Sequence, residues 1–305
     1  MSNAIREAEG LGMDTVQVFT KNQRQWKFKP LDDEVRDEWL AELARVGWMG
    51  GRGRAVAHDS YLINLASPDD ELWEKSIALM REEIGRCEAL GIPHLVSHPG
   101  AHMGQGVQAG LKRIAKAYGR LFKETSGCST GMCLENTAGG GTTLGRSFEE
   151  LGDLKRFIHD SAGGHADGRV GFCLDTCHAL AAGYDIASHE NGDGTGKKRT
   201  RAVAEKLGSA MLDEFDALCG LENLRVVHLN DSIGARASFR DRHAHIGKGN
   251  VAIGAFAAIV NRPELSDVPM ILETPKGESE SGKAWDTINL GKLRRLVSAM
   301  PTQAS

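Results

Sequence analysis

Strand-like and helix-like stretches take turns along this chain, and the strand-like runs show little polar alternation. They lie near 14–19, 54–58, 94–98, 132–136, 170–175, 225–229 and 269–273. Runs of that kind suit parallel strands buried on both faces. Helical patterns fill the gaps, at roughly 2–11, 32–47, 69–90, 105–126, 147–161, 200–219, 253–261 and 284–299. Pro68-Asp69-Asp70 reads as a helix start, because acidic residues suit the first turn. Strand then helix, repeated, predicts βα units around a parallel sheet. A (β/α)8 barrel opens with a strand, yet the first readable element here, Ser2 to Glu9, is helical, and the strand count is seven. The fold class is therefore α/β, a TIM-type (β/α)8 barrel lacking its first strand at the N-terminus. No Pro-rich or Ser-rich linker divides the 305 residues, so 1–305 is read as a single domain. Two segments, 137–145 and 188–201, read as long mobile loops.

Composition removes several classes of function. Hydrophobic residues make up 41% and charged residues 26%, which excludes wholesale disorder. The formal charge of −4 is not that of a protein coating nucleic acid through bulk basicity. No apolar run approaches the ~18 residues of a membrane helix, and no n-region and h-region open the chain. The expectation is a cytoplasmic protein, nuclear or mitochondrial in a eukaryote, with no membrane partner. The six cysteines show no paired spacing and read as reduced thiols, with Cys133 and Cys173 in buried strands.

The chemistry gathers at the C-terminal ends of the strands. His58, His98, Glu135, Asp175, His228 and Glu273 each stand at or next to such an end. Parallel strands bring those ends to one face of a barrel, where barrel active sites are built. One histidine there is usually structural, but several carboxylates and imidazoles buried together need a cation. Imidazole with carboxylate and no thiolate suits Zn2+, Mn2+ or Fe2+ better than Mg2+ or Ca2+. Asp241-Arg242-His243 adds a further Asp-x-His pair, and His178 follows Asp175 by three residues but past the turn, so the two are not expected on one metal.

Three motifs are set aside. Gly127 to Gly131 matches GxSxG, but its serine precedes a strand, whereas a nucleophile elbow runs strand, serine, helix. Gly192 to Lys198 lacks the spacing of a phosphate loop. The basic run Lys197 to Arg201 reads as a solvated loop, with contact to a phosphate backbone as its functional alternative.

Taken together, these segments resemble endonuclease IV, the zinc-dependent apurinic/apyrimidinic-site endonuclease family. The resemblance rests on Phe19-Thr20-Lys21-Asn22-Gln23-Arg24-Gln25-Trp26, His58-Asp59-Ser60-Tyr61-Leu62, His98-Pro99-Gly100 and Leu134-Glu135-Asn136-Thr137-Ala138-Gly139. It continues through Leu174-Asp175-Thr176-Cys177-His178, Ala181-Ala182-Gly183-Tyr184-Asp185, His228-Leu229-Asn230-Asp231-Ser232, Asp241-Arg242-His243, Gly247-Lys248-Gly249 and Leu272-Glu273-Thr274-Pro275. It implies three Zn2+ per chain, with Mn2+ also accepted by such ligands. His58 and His98 would hold one metal, with Glu135 bridging to a second completed by Asp175, His228 and Glu273. His178, Asp241 and His243 would hold the third. Three Zn2+ would add +6 to the formal charge of −4, making the site attractive to a phosphodiester.

The implied reaction is hydrolysis of the phosphodiester 5′ to an abasic site by a metal-activated hydroxide, leaving a 3′-hydroxyl and a 5′-deoxyribose phosphate. Glu135, as the bridging ligand, is the catalytic residue in this reading. The implied partner is double-stranded DNA with abasic sites or blocked 3′ ends, met by a monomer. Arg24, Tyr61 and Leu62 match the positions that fill the gap in the duplex. Two departures stand out: Lys248 where the family often carries Glu, and a longer, more basic loop at 188–201.

The main rival is a sugar isomerase or epimerase of the xylose-isomerase-like barrels, which share a Glu/Asp/His/Glu site for divalent metal. His178 with Asp241 and His243, together with Arg24 and Tyr61, discriminates against it. A third reading is a zinc-loaded barrel that binds damaged DNA without cutting it. The missing strand carries its own expectation: an open barrel with no strand between 14–19 and 269–273, and a natural start upstream, in a segment encoding that strand.

Overall fold

The computed structural model describes residues 1–50 and 54–298. Helix α1 (Ser2–Gly10) precedes β1 (Val16–Val18), and α2 (Asp33–Arg45) follows it. The units then repeat: β2 (Ala55–His58) with α3 (Asp70–Ala89), β3 (His94–Ser97) with α4 (Val107–Glu124), and β4 (Gly131–Glu135) with α5 (Phe148–Ala162). β5 (Val170–Asp175) runs into α6 (Thr176–Ala182) and α7 (Arg201–Cys219). After β6 (Leu224–His228) comes a small antiparallel pair, β7 (Asp231–Ser232) and β8 (His243–Ala244), then α8 (Ile253–Val260), β9 (Met270–Ile271) and α9 (Trp285–Arg294).

Seven strands make one parallel sheet in the order β1-β2-β3-β4-β5-β6-β9. The sheet curls far enough for Gln17 of β1 to hydrogen-bond Glu273, just past β9. The two edge strands nevertheless share no backbone pairing among the described residues. The barrel is open by one strand, as the count of seven predicts.

Strand side chains alternate between two faces. Ala55, Ala57, Leu95, Met132, Leu134, Phe172, Leu174 and Val227 point outward into the main core shared with the helices. Val56, Val96, Cys133, Cys173, Val226 and Ile271 form a second, separate cluster inside the barrel. The residue two positions beyond each of these six is His58, His98, Glu135, Asp175, His228 and Glu273 in turn. The period of two therefore puts all six polar residues on one inner layer, directly above an apolar plug. Below that plug the register shifts between Phe172 and Cys173, and Arg225 packs over Gly171, where a Cβ would meet its side chain at 2.5 Å.

Helix starts follow capping chemistry. Asp69 accepts from Leu72 N–H at 2.8 Å, Ser147 caps α5 and Thr200 caps α7, each offering a side-chain oxygen to an otherwise unpaired N–H. Three expectations change. α6 is absent from the sequence reading because seven residues are too few to show a 3.6 period. α9 ends at Arg294, and residue 299, its expected end, lies outside the described residues. The two long loops are stitched in place rather than free. Thr137 N–H and Oγ1 bond the carbonyls of Gly145 and Leu144. The 188–201 segment pairs His189 with Lys198 and anchors Arg199 on Asp185 at 2.6 Å.

Candidate metal centre

Glu135 stands at the middle of the inner layer, 1% exposed, with its two oxygens turned to different histidines. Oε2 lies 3.2 Å from His58 Nε2 and 3.1 Å from His98 Nε2. Oε1 lies 3.1 Å from His228 Nδ1 and 3.2 Å from His178 Nδ1. His228 Nδ1 is also 3.1 Å from Glu273 Oε2 and 3.8 Å from Asp175 Oδ2. On the outer side, Asp241 reaches His178 Nε2 and His243 Nε2, both at 3.2 Å.

Donor atoms that lie within 4.8 Å of one another fall into three sets: His58, His98 and Glu135; Glu135, Asp175, His228 and Glu273; His178, Asp241 and His243. The nine residues singled out as metal-ligating are therefore brought together, and Asp175 and His178 fall in different sets. The donor chemistry fits a divalent transition metal: five imidazoles and four carboxylates, most of them buried, with one carboxylate common to two sets.

Two thiols enter further groupings, Cys173 with Glu135 and His228, and Cys177 with Asp175 and His243. Burial pushes both thiols up, Cys177 to about 12, which favours the protonated form over a thiolate ligand. Burial also opposes ionisation of Glu135, but His228, His98 and His178 outweigh it and hold the carboxyl well below its usual range. The centre thus keeps its central carboxylate charged even in the protein alone.

Hydrogen bonds around the layer aim it. Asp175 Oδ1 caps α6 by accepting from His178 N–H at 2.7 Å, while Oδ2 accepts from Asn230 Nδ2 at 2.6 Å. Asn230 also accepts from Glu273 N–H at 2.8 Å. Asp231 is fully buried, and its Oδ2 accepts from the N–H groups of Gly247, Lys248 and Gly249. Those bonds fold the chain back beside the β7–β8 pair that presents Asp241 and His243. A Cβ on Gly249 would lie 2.3 Å from Ser232 O, so the close approach requires glycine. Only the backbone N–H of Lys248 takes part, so these bonds to Asp231 do not depend on its side chain.

A cavity of ≈ 390 Å³ is lined by His58, His98, His178 and Asp241 together with Tyr61, Leu62 and Phe239. Tyr61 is 61% exposed, and its ring lies 5.8 Å from those of His58 and Phe19. Arg24 does not line this cavity. It lies on the neighbouring loop, which Ser60 Oγ ties in through the carbonyl of Gln23 at 2.8 Å. The sequence reading assigned no role to Gln17, Asn136, Asn230 or Phe239. The first had a visible signal, an amide at an inward position of an otherwise apolar strand.

Comparison with known proteins gives a consistent result. A family model described as xylose isomerase-like TIM barrel matches residues 5–290. A probable endonuclease 4 of Chloroflexus aurantiacus is 46% identical over 299 residues, covering 97% of this chain and 94% of that protein. A probable endonuclease 4 of Geobacter sulfurreducens is 41% identical over 297 residues, covering 96% and 89%. The crystal structure of endonuclease IV from Thermus thermophilus superposes with a TM-score of 0.76 at 34% identity, covering 97% of this chain and 93% of that one. A D-tagatose 3-epimerase-like protein superposes at 0.64 with 15% identity, covering 97% and 92%, a likeness of fold alone.

Proposed function

This chain belongs to the endonuclease IV family, and from that premise we propose that it hydrolyses the DNA phosphodiester 5′ to an abasic site at a centre of three zinc ions. It is a deoxyribonuclease of the endonuclease IV type, a hydrolase of DNA repair. The observation that carries the finer reading is Glu135, whose two oxygens are divided between two histidine pairs within three clustered donor sets.

In this reading His58, His98 and Glu135 would hold one ion, Glu135, Asp175, His228 and Glu273 a second, and His178, Asp241 and His243 the third. Zinc at such a centre supplies a water acidified toward neutral pH and positive charge for the phosphoryl oxygens. The chain's own part is positional. Glu135 keeps two donor sets in register, Asp175 joins α6 to the centre, and the buried layer limits water to the cavity side. Tyr61, Leu62 and Arg24 would fill the gap left by the absent base. An abasic nucleotide has no base to unstack, so turning it into the cavity costs little. The same centre would trim blocked 3′ ends. The work is assigned to a monomer in the cytoplasm; among the described residues no helix is long and apolar enough to cross a membrane.

The test is a duplex carrying one abasic site, incubated with zinc-loaded protein and with protein stripped by a chelator. Cleavage on the 5′ side, leaving a 3′-hydroxyl and a 5′-deoxyribose phosphate only when metal is present, is the expected result. Cleavage that survives complete metal removal would overturn it, as would isomerisation of a free sugar without any nicking.

A further inference from the structure

Gln17 is the inward residue of β1, in register with Val56 of β2. Its neighbours Val16 and Val18 are apolar, and its amide meets two donor-set residues from across the open seam. Nε2 donates to Glu273 Oε1 at 2.7 Å, and Oε1 lies 2.8 Å from His228 Nε2. A carboxylate offers only acceptors, so the amide nitrogen must face Glu273, and the amide oxygen then accepts from His228 Nε2–H. With the proton fixed on Nε2, the lone pair of a neutral His228 sits on Nδ1. That atom is 3.1 Å from both Glu135 Oε1 and Glu273 Oε2.

One amide therefore does two things. It sets the His228 tautomer that turns Nδ1 toward the carboxylates, and it occupies Glu273 Oε1 so that Oε2 is the oxygen left facing the cluster. Asn230 holds Glu273 from the other side, through Nδ2 to Oε2 at 3.2 Å. No backbone pairing joins β1 to β9 among the described residues, so at this level the amide itself spans the seam. We propose that Gln17 is a positioning residue for the set Glu135, Asp175, His228 and Glu273, orienting two of its four donors across the open edge of the barrel. The inference rests on the reading that this set holds an ion.

The test compares the full chain with Gln17→Met, similar in length but without the amide. A second variant, Gln17→Glu, keeps an acceptor for His228 while placing a like charge against Glu273. Metal-free protein is titrated with Zn2+ against a chromogenic chelator, and Co2+-loaded protein is followed by its visible bands. Partners of this kind, when removed, typically cost 10–100-fold in metal affinity. The expected result is a loss of that size for one ion in Gln17→Met, with the remaining ions unchanged and one Co2+ site altered in its spectrum. Gln17→Glu should fall at least as far. Thermal unfolding of the metal-free proteins separates this from a folding defect; if Gln17→Met does not fold, Gln17→Glu alone decides. Wild-type affinity in the folded variants would overturn the proposal, and so would equal weakening of every ion, which marks a general structural role. A wild-type chain that binds no zinc would instead overturn the reading of the centre, and this inference with it.

Discussion

The side chain of Asn136 pairs twice with the backbone of Asp175, accepting from its N–H at 2.6 Å and donating to its carbonyl at 3.0 Å. The amide thereby continues the β4–β5 ladder one step past the end of β4. The backbone carbonyl of Asn136 also accepts from His178 Nδ1 at 2.9 Å. One residue beyond Glu135 thus fixes Asp175, which shares a donor set with Glu135, and His178 of the set that Glu135 does not enter. Asn136→Leu leaves two buried backbone groups unpaired, at on the order of 1–3 kcal/mol each. Urea unfolding of the metal-free protein should show that loss, and zinc retention on dialysis should fall with it. Unchanged stability would mean that water replaces the amide.

Metal content is the most direct check on the centre. Fully loaded protein should carry three zinc-type ions per chain by elemental analysis, and two or fewer would contradict the assignment of the donor sets. Glu135→Gln should cost the most activity of any single ligand change, because two sets lose a charged donor at once. Cys177→Ala, by contrast, should leave ion content unchanged, since its thiol is pushed up to about 12 and sits in packing. Loss of an ion in that variant would make the thiol a ligand.

Tyr61 is placed to separate DNA binding from metal binding. It lies three residues past His58, yet its ring is mostly exposed at the cavity. Stacking on a base is worth ~1–3 kcal/mol by truncation, so Tyr61→Ala should weaken binding to an abasic duplex by roughly 5- to 150-fold. Zinc content should not change. If affinity held and zinc fell, the ring contact with His58 would be its main role.

Much of this centre was legible because charge is out of place in a buried strand. Glu135 and Asp175 close apolar runs, and His58, His98 and His228 recur at equivalent ends, so the period of two sufficed to stack them on one layer. The open seam followed from a count of strands. Asn136 and Asn230 were not legible in the same way, because neutral amides at strand ends are common and carry no charge to explain. Which oxygen of Glu135 faces which imidazole depends on how far the sheet curls, a property of seven strands together rather than of any one. α6 was hidden because the strand residue Asp175 is also its cap, leaving no turn to announce the helix.

The bottom of the barrel should make the fold acid-sensitive through His94. Its Nδ1 is buried without a hydrogen-bond partner, and its pKa is pushed down from 6.5 to about 4 by burial and then by the Arg225 guanidinium. In the unfolded chain the imidazole takes its proton near 6.5; in the fold it resists until about 4. Between those values the unfolded state binds more protons, so acid favours unfolding. This contribution leaves stability untouched above about 6.5 and removes it progressively as pH falls, with the loss complete below about 4. A shift of that size corresponds to roughly 3 kcal/mol. His94→Gln cannot titrate. In urea unfolding of metal-free proteins, it should gain on the wild type by roughly 2–3 kcal/mol between about pH 7 and about pH 4.5. Using the metal-free forms removes metal release, and the ligand groups, common to both proteins, cancel in the difference. A gap between the two proteins that does not change with pH would overturn this, showing that His94 takes its proton in the fold as readily as in the unfolded chain.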